Sequence, residues 1–277
     1  MKLKLIRHLW GVDLTKGLYN YLPHWREVGY EAVEIALNLV PDQKAFLRFL
    51  EDSRLGWVPQ VFSNDFAPGG SVSTHFDSLR TQIEKCLDHH PLFFNAHSGA
   101  DTWSQAETIE FYGRVLDLEQ KIGVPISHET HRLRPFGIPW QMRPILEAFP
   151  DLLVTCDFSH WVCVCERLLP DLGETISLAA RHCHHLHSRV GFEEGPQVPD
   201  PAAPEYALHL AAHESWWDAI WEAQSARGLD VTTLTPEFGP APYMHTVPYT
   251  KAPLADLTNI CDWMAERQKS RFASIVG

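Results

Sequence analysis

Positive charge is scarce in this chain. Its 23 Lys and Arg stand against 35 Asp and Glu, for a formal net charge of −12, and no run rich in Lys or Arg occurs. Phosphate backbones and anionic lipid surfaces are gripped by basic stripes, so neither nucleic acid nor a membrane is an expected partner. Long apolar runs are missing too. Nothing approaches the roughly 18 residues that a spanning helix requires. The start, Met1-Lys-Leu-Lys-Leu-Ile-Arg-His8, alternates charge with apolarity instead of forming a secretion signal's apolar core. The six cysteines contain no Cys-x-x-Cys pair, and Cys163 and Cys165 sit only two apart. Reduced thiols in a cytoplasmic protein are the simplest reading. Also absent is a Gly-x-Gly-x-x-Gly turn after the first strand, the mark of an open dinucleotide-binding sheet.

What is present is an ordinary globular composition, 45% hydrophobic and 21% charged. No low-complexity segment or domain break divides the chain, so residues 1–277 are expected to form a single domain. Strand-like stretches run from Leu3 to Gly11, Tyr30 to Ile35, Gly56 to Phe62, Leu92 to His97, Pro125 to His131, Leu152 to His160, Cys183 to Arg189 and Val231 to Glu237. Helical patterns alternate with them: Leu18 to Val28, Asp42 to Leu50, Phe76 to Leu87, Gln105 to Ile122, Gln141 to Phe149, a segment ending near Arg181, Leu208 to Arg227, and Leu254 to Gln268. Eight such units of about 35 residues imply parallel strands with helical crossovers. The expected fold is α/β, a single (β/α)8 TIM barrel. Pro59 is tolerable in the third strand only where the ladder does not need its amide. Residues 191–207 carry Pro196, Pro199, Pro201 and Pro204, too many for regular structure.

Sixteen histidines are more unusual, and several fall at strand ends. Pro125-Ile-Ser-His-Glu-Thr-His131 runs from an apolar entry to a polar exit. Alternation along a strand puts Glu129 and His131 on one face. The design recurs in the strands ending at Asp157 and His160, at His187 and Arg189, and at Glu237. Functional residues of a barrel gather at the carboxyl ends of its strands, so Glu129, Asp157, His187 and Glu237 are read as one metal site. Three carboxylates and one imidazole suit Mn²⁺ first, then Mg²⁺ or Co²⁺, with zinc a further option. His185 shares a face with His187 and is the alternative ligand, whereas His128 should face the helix layer. Trp10, Trp103 and Trp161 follow strand ends and are candidates for a substrate wall; Trp216, Trp217 and Trp221 read as packing residues.

The order Glu129, Asp157, His187, Glu237 on strands five to eight resembles the xylose isomerase-like TIM-barrel superfamily of sugar phosphate isomerases and epimerases. Asp157-Phe-Ser-His160 is similar to its Asp-x-x-His, His187-Ser-Arg189 to its His-x-Lys/Arg, and Val33-Glu34-Ile35 to its Val-Glu-Ile. The resemblance implies a divalent-metal isomerase or epimerase for a small carbohydrate, moving a proton beside a carbonyl through an enediolate that the ion steadies. It makes Glu129 and Glu237 both ligands and the acid/base pair. It places His160, Arg189, His97, Glu34 and Trp10 around the substrate. For Arg189, pairing with Glu193 or Glu194 is the competing role. Dehydratases and lyases of keto-sugars, keto-glycosides or inosose-like ketones share the same metal and base, so the ligands leave that alternative open. Zinc endonucleases of the superfamily would use His97 and His160 as well. Their Asp-x-His after strand seven has no counterpart here, and the acidic charge opposes a DNA clamp. A non-catalytic binding barrel is disfavoured by four intact ligand types. The Pro-rich loops 191–207 and 240–253 either narrow substrate choice or make a contact within a homo-oligomer.

Overall fold

The computed structural model describes residues 1–67 and 69–276. Its strands are β1 (Lys2–His8), β2 (Tyr30–Glu34), β3 (Gly56–Val58), β4 (Gln60–Phe62), β5 (Phe94–His97), β6 (Ile126–Glu129), β7 (Leu153–Cys156), β8 (Cys183–His187) and β9 (Val231–Thr235). They form one parallel sheet in the order β3-β2-β1-β9-β8-β7-β6-β5-β4. Its two edges, β3 and β4, are consecutive in the chain and parted only by Pro59. β3 pairs with β2 and β4 pairs with β5, so the third strand hands over from one neighbour to the other. The result is an eight-unit TIM barrel. Pro59 stands at the hand-over, where its carbonyl still accepts from Asn95 N at 3.1 Å.

The helices are α1 (Leu22–Val28), α2 (Gln43–Ser53), α3 (Val72–Glu84), α4 (Gln105–Ile122), α5 (Pro139–Ala148), α6 (Phe158–Cys165), α7 (Gly173–His182), α8 (Ala207–Ala226) and α9 (Leu257–Val276). Caps decide several boundaries that apolar periodicity places differently. Ser71 caps α3 four residues ahead of the expected start near Phe76. Asp157 accepts from Ser159 N and opens α6, so the sixth strand stops at Cys156 and His160 lies in a helix. The segment read as one helix to Arg181 is two, because Glu166 takes a left-handed cap (φ 51°) after Cys165. Asp256 holds the amide of Asn259, which starts α9 after Leu254. That helix also continues past Gln268, with Phe272 packed edge-on against Trp221 at 5.4 Å. α4 matches its expected span, fixed by a capping box between Ser104 and Glu107.

The main core lies between strands and helices. Trp217 and Trp221 are fully buried there and Trp216 nearly so. The Pro-rich 191–207 segment is irregular up to a single 3₁₀ turn at Pro204–Tyr206. Inside the barrel, a small apolar plug of Ile6, Ala32, Val58 and Phe93 fills the bottom. Above it the interior turns polar, with Glu34, Asn95, Ser127, Thr155 and His185 all buried. Barrel interiors are usually filled by branched apolar side chains, so this upper half is given over to something other than packing.

Two expectations follow. A Cβ on Gly191 would lie 2.6 Å from the carbonyl oxygen of Ser159 and 2.9 Å from its Cα. Gly191→Ala should therefore push the loop after β8 off the start of α6, costing about 1–3 kcal/mol. Thermal unfolding should show a fall of several degrees. Acid should also weaken the fold. Burial holds His97, His128 and His131 down to about 3, and His184 and His213 down to about 4. An unfolded histidine takes its proton near 6.5, so stability is lost as pH falls below that value, by roughly 1.4 kcal/mol per unit for each ring kept neutral. Asp157 and Glu119, which burial raises to about 7, act in the opposite sense, as do the raised Glu129 and His187, but the lowered histidines outnumber them. Urea unfolding midpoints should drop between pH 7.5 and 5.5; an unchanged midpoint would contradict the assignment.

Candidate metal centre

Strand alternation builds the upper floor of the barrel. On β6, Ser127 and Glu129 point inward, while His128 points out, bonding Ser98 Oγ at 2.7 Å and packing on Tyr112 of α4. Asp157 enters from the cap of α6, His187 from the last position of β8, and Glu237 from two residues beyond β9. One donor atom from each of these four lies within 4.8 Å of the others. His187 Nδ1 is 3.1 Å from Glu237 Oε2, 3.7 Å from Glu129 Oε2 and 4.0 Å from Asp157 Oδ2. Despite that proximity, His187 Nδ1, Glu129 Oε1 and Glu237 Oε2 have no hydrogen-bond partner of acceptable geometry. Buried polar atoms left unpartnered within one such cluster are costly unless a cation sits among them.

A second tier holds the first. Glu34 accepts from Asn95 Nδ2 at 2.9 Å and from Thr235 Oγ1 at 2.7 Å, and lies 3.1 Å from His187 Nε2. The pairing at Nε2 turns Nδ1 of His187 toward the centre. Asn95 gives its other amide hydrogen to Glu129 Oε2 at 2.8 Å, tying the two tiers together. Asp157 is held on both oxygens, by Ser159 on Oδ1 and by Arg189 Nη2 on Oδ2 at 2.5 Å. A carboxylate oxygen has a second lone pair, so Oδ2 can still reach a cation. His185 sits lower, between Thr233 and Thr235, at 2.8 and 3.0 Å. It is outside the four-residue group, although it forms a separate cluster with Glu34 and His187.

The electrostatics point the same way. Burial raises Glu129, and burial with Glu237 and Glu129 nearby lifts Asp157 to about 7 against the pull of Arg189. Burial opposes charge on Glu237 as well, yet Arg189 and His187 more than offset it and hold its carboxyl well below the ordinary range. Burial likewise works against an imidazolium at His187, but Glu34, Glu237 and Glu129 raise it well above a normal histidine. Negative charge is in excess. Three carboxylates and one imidazole are a hard donor set, and the residues present fit a divalent ion such as Mn²⁺, Mg²⁺, Co²⁺ or Zn²⁺.

Above the floor opens a cavity of about 490 Å³. His97, Arg189 and Trp10 line it as the sequence suggests, with His97 Nε2 2.9 Å from Glu129 Oε2. Glu34 does not: it is completely buried below the centre and positions His187 instead of meeting substrate. His160 is also enclosed, 2.6 Å from Arg189 Nη2. Arg189 pairs with Asp157, whereas Glu193 takes His209 instead. Two tryptophans leave the expected wall. Trp161 is fully buried and donates to Phe136 O, and Trp103 donates to Gly70 O beside His75 and Phe111 in the outer layer. Residues to which the sequence reading gave no role take part. His8 faces Glu237 Oε1 at 3.4 Å, His131 lies between His97 and His160 with its ring tilted 54° to each, and Tyr243 closes on Trp10. His8 and His131 carry the same strand-exit signal as the four ligands; nothing near Tyr243 announces it.

Glu34→Gln removes the charge behind His187 while keeping an acceptor of the same shape. Affinity for Mn²⁺ or Zn²⁺, read by competition with a chromogenic chelator, should fall about 10- to 100-fold. Unchanged affinity would show that Glu34 does not position the imidazole.

No protein-family model and no curated protein matches the chain. Solved structures do. A xylose isomerase-like TIM-barrel protein from Mycobacterium smegmatis in complex with magnesium aligns with TM-score 0.66 at 13% identity over 99% of this chain and 98% of that one. D-allulose 3-epimerase from Methylomonas sp. aligns at 0.62 and 12% identity, over 98% of each chain. A probable 3-DHS dehydratase involved in petrobactin synthesis from Bacillus anthracis aligns at 0.59 and 15%, over 97% of this chain and 99% of that one. At these identities the likeness is one of fold alone: the chain shares the TIM-barrel architecture of these proteins.

Proposed function

We propose that the protein is a divalent-metal-dependent isomerase or epimerase, moving a proton beside the carbonyl of a small carbohydrate-like ketone. The observation that carries this reading is the convergence of Glu129, Asp157, His187 and Glu237 in one cluster, with Glu237 lining an open cavity. These four would hold the ion, with Mn²⁺ the one we favour for a carboxylate-rich set. When bound, the ion supplies Lewis acidity to a substrate carbonyl and charge neutralisation for the enediolate that follows. The protein's own part is the proton traffic. Glu129 and Glu237 would form the acid/base pair. One takes the proton from the carbon next to the carbonyl, and the electron pair left behind forms the enediolate. The other gives a proton to the opposite face, or to the former carbonyl carbon while the hydroxyl proton of the first carbon passes to the carbonyl oxygen. Exchange with solvent resets the pair. Arg189 and His97 line the cavity beside these carboxylates and are placed to hold substrate oxygens. The similarity in fold to an epimerase supports the reading, and the similarity to a dehydratase supports elimination from the same intermediate as the alternative.

Glu237→Gln and Glu129→Gln keep an oxygen near the ion and remove basicity. Each should retain part of the metal while turnover falls about 10² to 10⁴-fold. In D₂O the wild type should place deuterium on a substrate carbon. Recovery of unchanged mass apart from the label indicates isomerisation or epimerisation; loss of a group indicates elimination. Near-normal turnover by Glu237→Gln, or no deuterium uptake with any carbonyl sugar, would defeat the proposal.

A further inference from the structure

The cavity is divided by chemistry along the chain. Its polar groups come mainly from the fourth to eighth strands: His97 at the end of β5, His131 and Arg132 after β6, Arg189 after β8, Glu237 and Tyr243 after β9. The first three strands supply a largely apolar wall: Leu9, Trp10, Val12 and Leu14 after β1, Ile35 and Leu39 after β2, Phe62 at the end of β4 and Phe66 beyond it. From those three strands, Gln60 and His8 are the only charged, amide or imidazole side chains lining it among the described residues. Part of this wall stands open: Leu39 is 58% exposed, Phe66 38%, and Leu133 on the opposite loop 59%. Phe66 and Leu133 hold left-handed backbones (φ 65° and 68°), a conformation unfavourable for bulky side chains that persists at ligand clamps. The wall is also aromatic. Phe66 packs on Phe62 at 4.3 Å and on His97 at 5.2 Å, and Trp10 meets Tyr243 edge-on at 4.8 Å.

A free sugar chain rising from the floor would press hydroxyls against Leu9, Val12, Leu14 and Leu39 with almost nothing to bond, and unpartnered polar groups oppose binding. We infer that the substrate is amphiphilic: a small polar ketone or polyol seated over Glu129 and Glu237, joined to a flat aromatic group that fills the wall from Trp10 to Phe66. The polar half of this inference rests on the proton-transfer reading above; the apolar half rests on the lining alone. A cavity of about 490 Å³ accommodates both parts.

Calorimetry on the metal-loaded protein tests it with phenyl β-D-glucoside, methyl β-D-glucoside and phenol. Burying one ring is worth roughly tenfold or more in affinity. Phenyl glucoside should therefore bind at least about tenfold more tightly than methyl glucoside, and more tightly than phenol. Leu133→Ser and Phe66→Ser should each erase most of that preference while leaving metal content unchanged. Equal or undetectable binding of the two glucosides overturns the inference, as does phenol binding as tightly as phenyl glucoside. A clear aryl preference without deuterium exchange on any carbonyl substrate would sink the proton-transfer reading and leave the apolar subsite standing.

Discussion

Four carboxylates share the inside of one barrel with a single guanidinium, and that excess of buried negative charge governs the rest of the structure. Moving an ion out of water costs several kcal/mol even after relaxation. Each carboxylate is accordingly given local compensation. Glu34 has Asn95, Thr235 and the imidazole edge of His187; Asp157 has Arg189 and Ser159; Glu129 has Asn95 and His97. Glu237 has the least, with His8, His187 and Arg189 all beyond 3.0 Å. His187 Nδ1, Glu129 Oε1 and Glu237 Oε2 are among the buried atoms left without a hydrogen-bond partner, and a cation held by these side chains would complete the arrangement.

The two tiers divide the labour. Glu34 and Asn95 never reach the cavity, yet they decide where His187 and Glu129 point, because each bonds an upper residue on its far side. Rigidity comes from below, where the apolar plug at Ile6, Ala32, Val58 and Phe93 closes the barrel, and from the loops above. Gln197 donates to Gly239 O at 3.0 Å and accepts from Gly239 N at 2.7 Å, stitching the two Pro-rich loops together over Glu237. The loops are thus part of the site's frame. Proline at 196, 199, 201 and 204 reduces the entropy lost when that frame orders.

How much of this was legible depends on the range of the interaction concerned. Strand–helix alternation and the four residues at strand exits are local patterns, and they could be read directly. Side-chain caps are also local, but Asp157 shows how one residue type serves two ends: it looks like a strand terminus and acts as the N-cap that turns Phe158–Cys165 helical. The placement of Glu34 required a pairing 153 residues away with His187, which no spacing encodes. Trp161 follows a strand end like Trp10, yet its indole finds a carbonyl acceptor in the helix layer, so burial wins over the cavity. Tyr243 enters from an irregular loop, where neither period nor cap predicts direction.

The split between an apolar wall from the first three strands and polar groups from the other five also has a physical basis in the barrel. Charged ligands attract one another's compensating groups, so once Glu129, Asp157, His187 and Glu237 occupy consecutive units, their guanidinium and imidazole partners gather in the same sector. An apolar wall on the facing side excludes water from the floor, and a lower local dielectric strengthens each charge interaction there. Phe66 does this at close range, its ring covering His97 and His131 beside Glu129 while Arg134 lies 5.1 Å from its centroid. The apolar wall is therefore part of the environment that sets the proton affinities of the carboxylates below it.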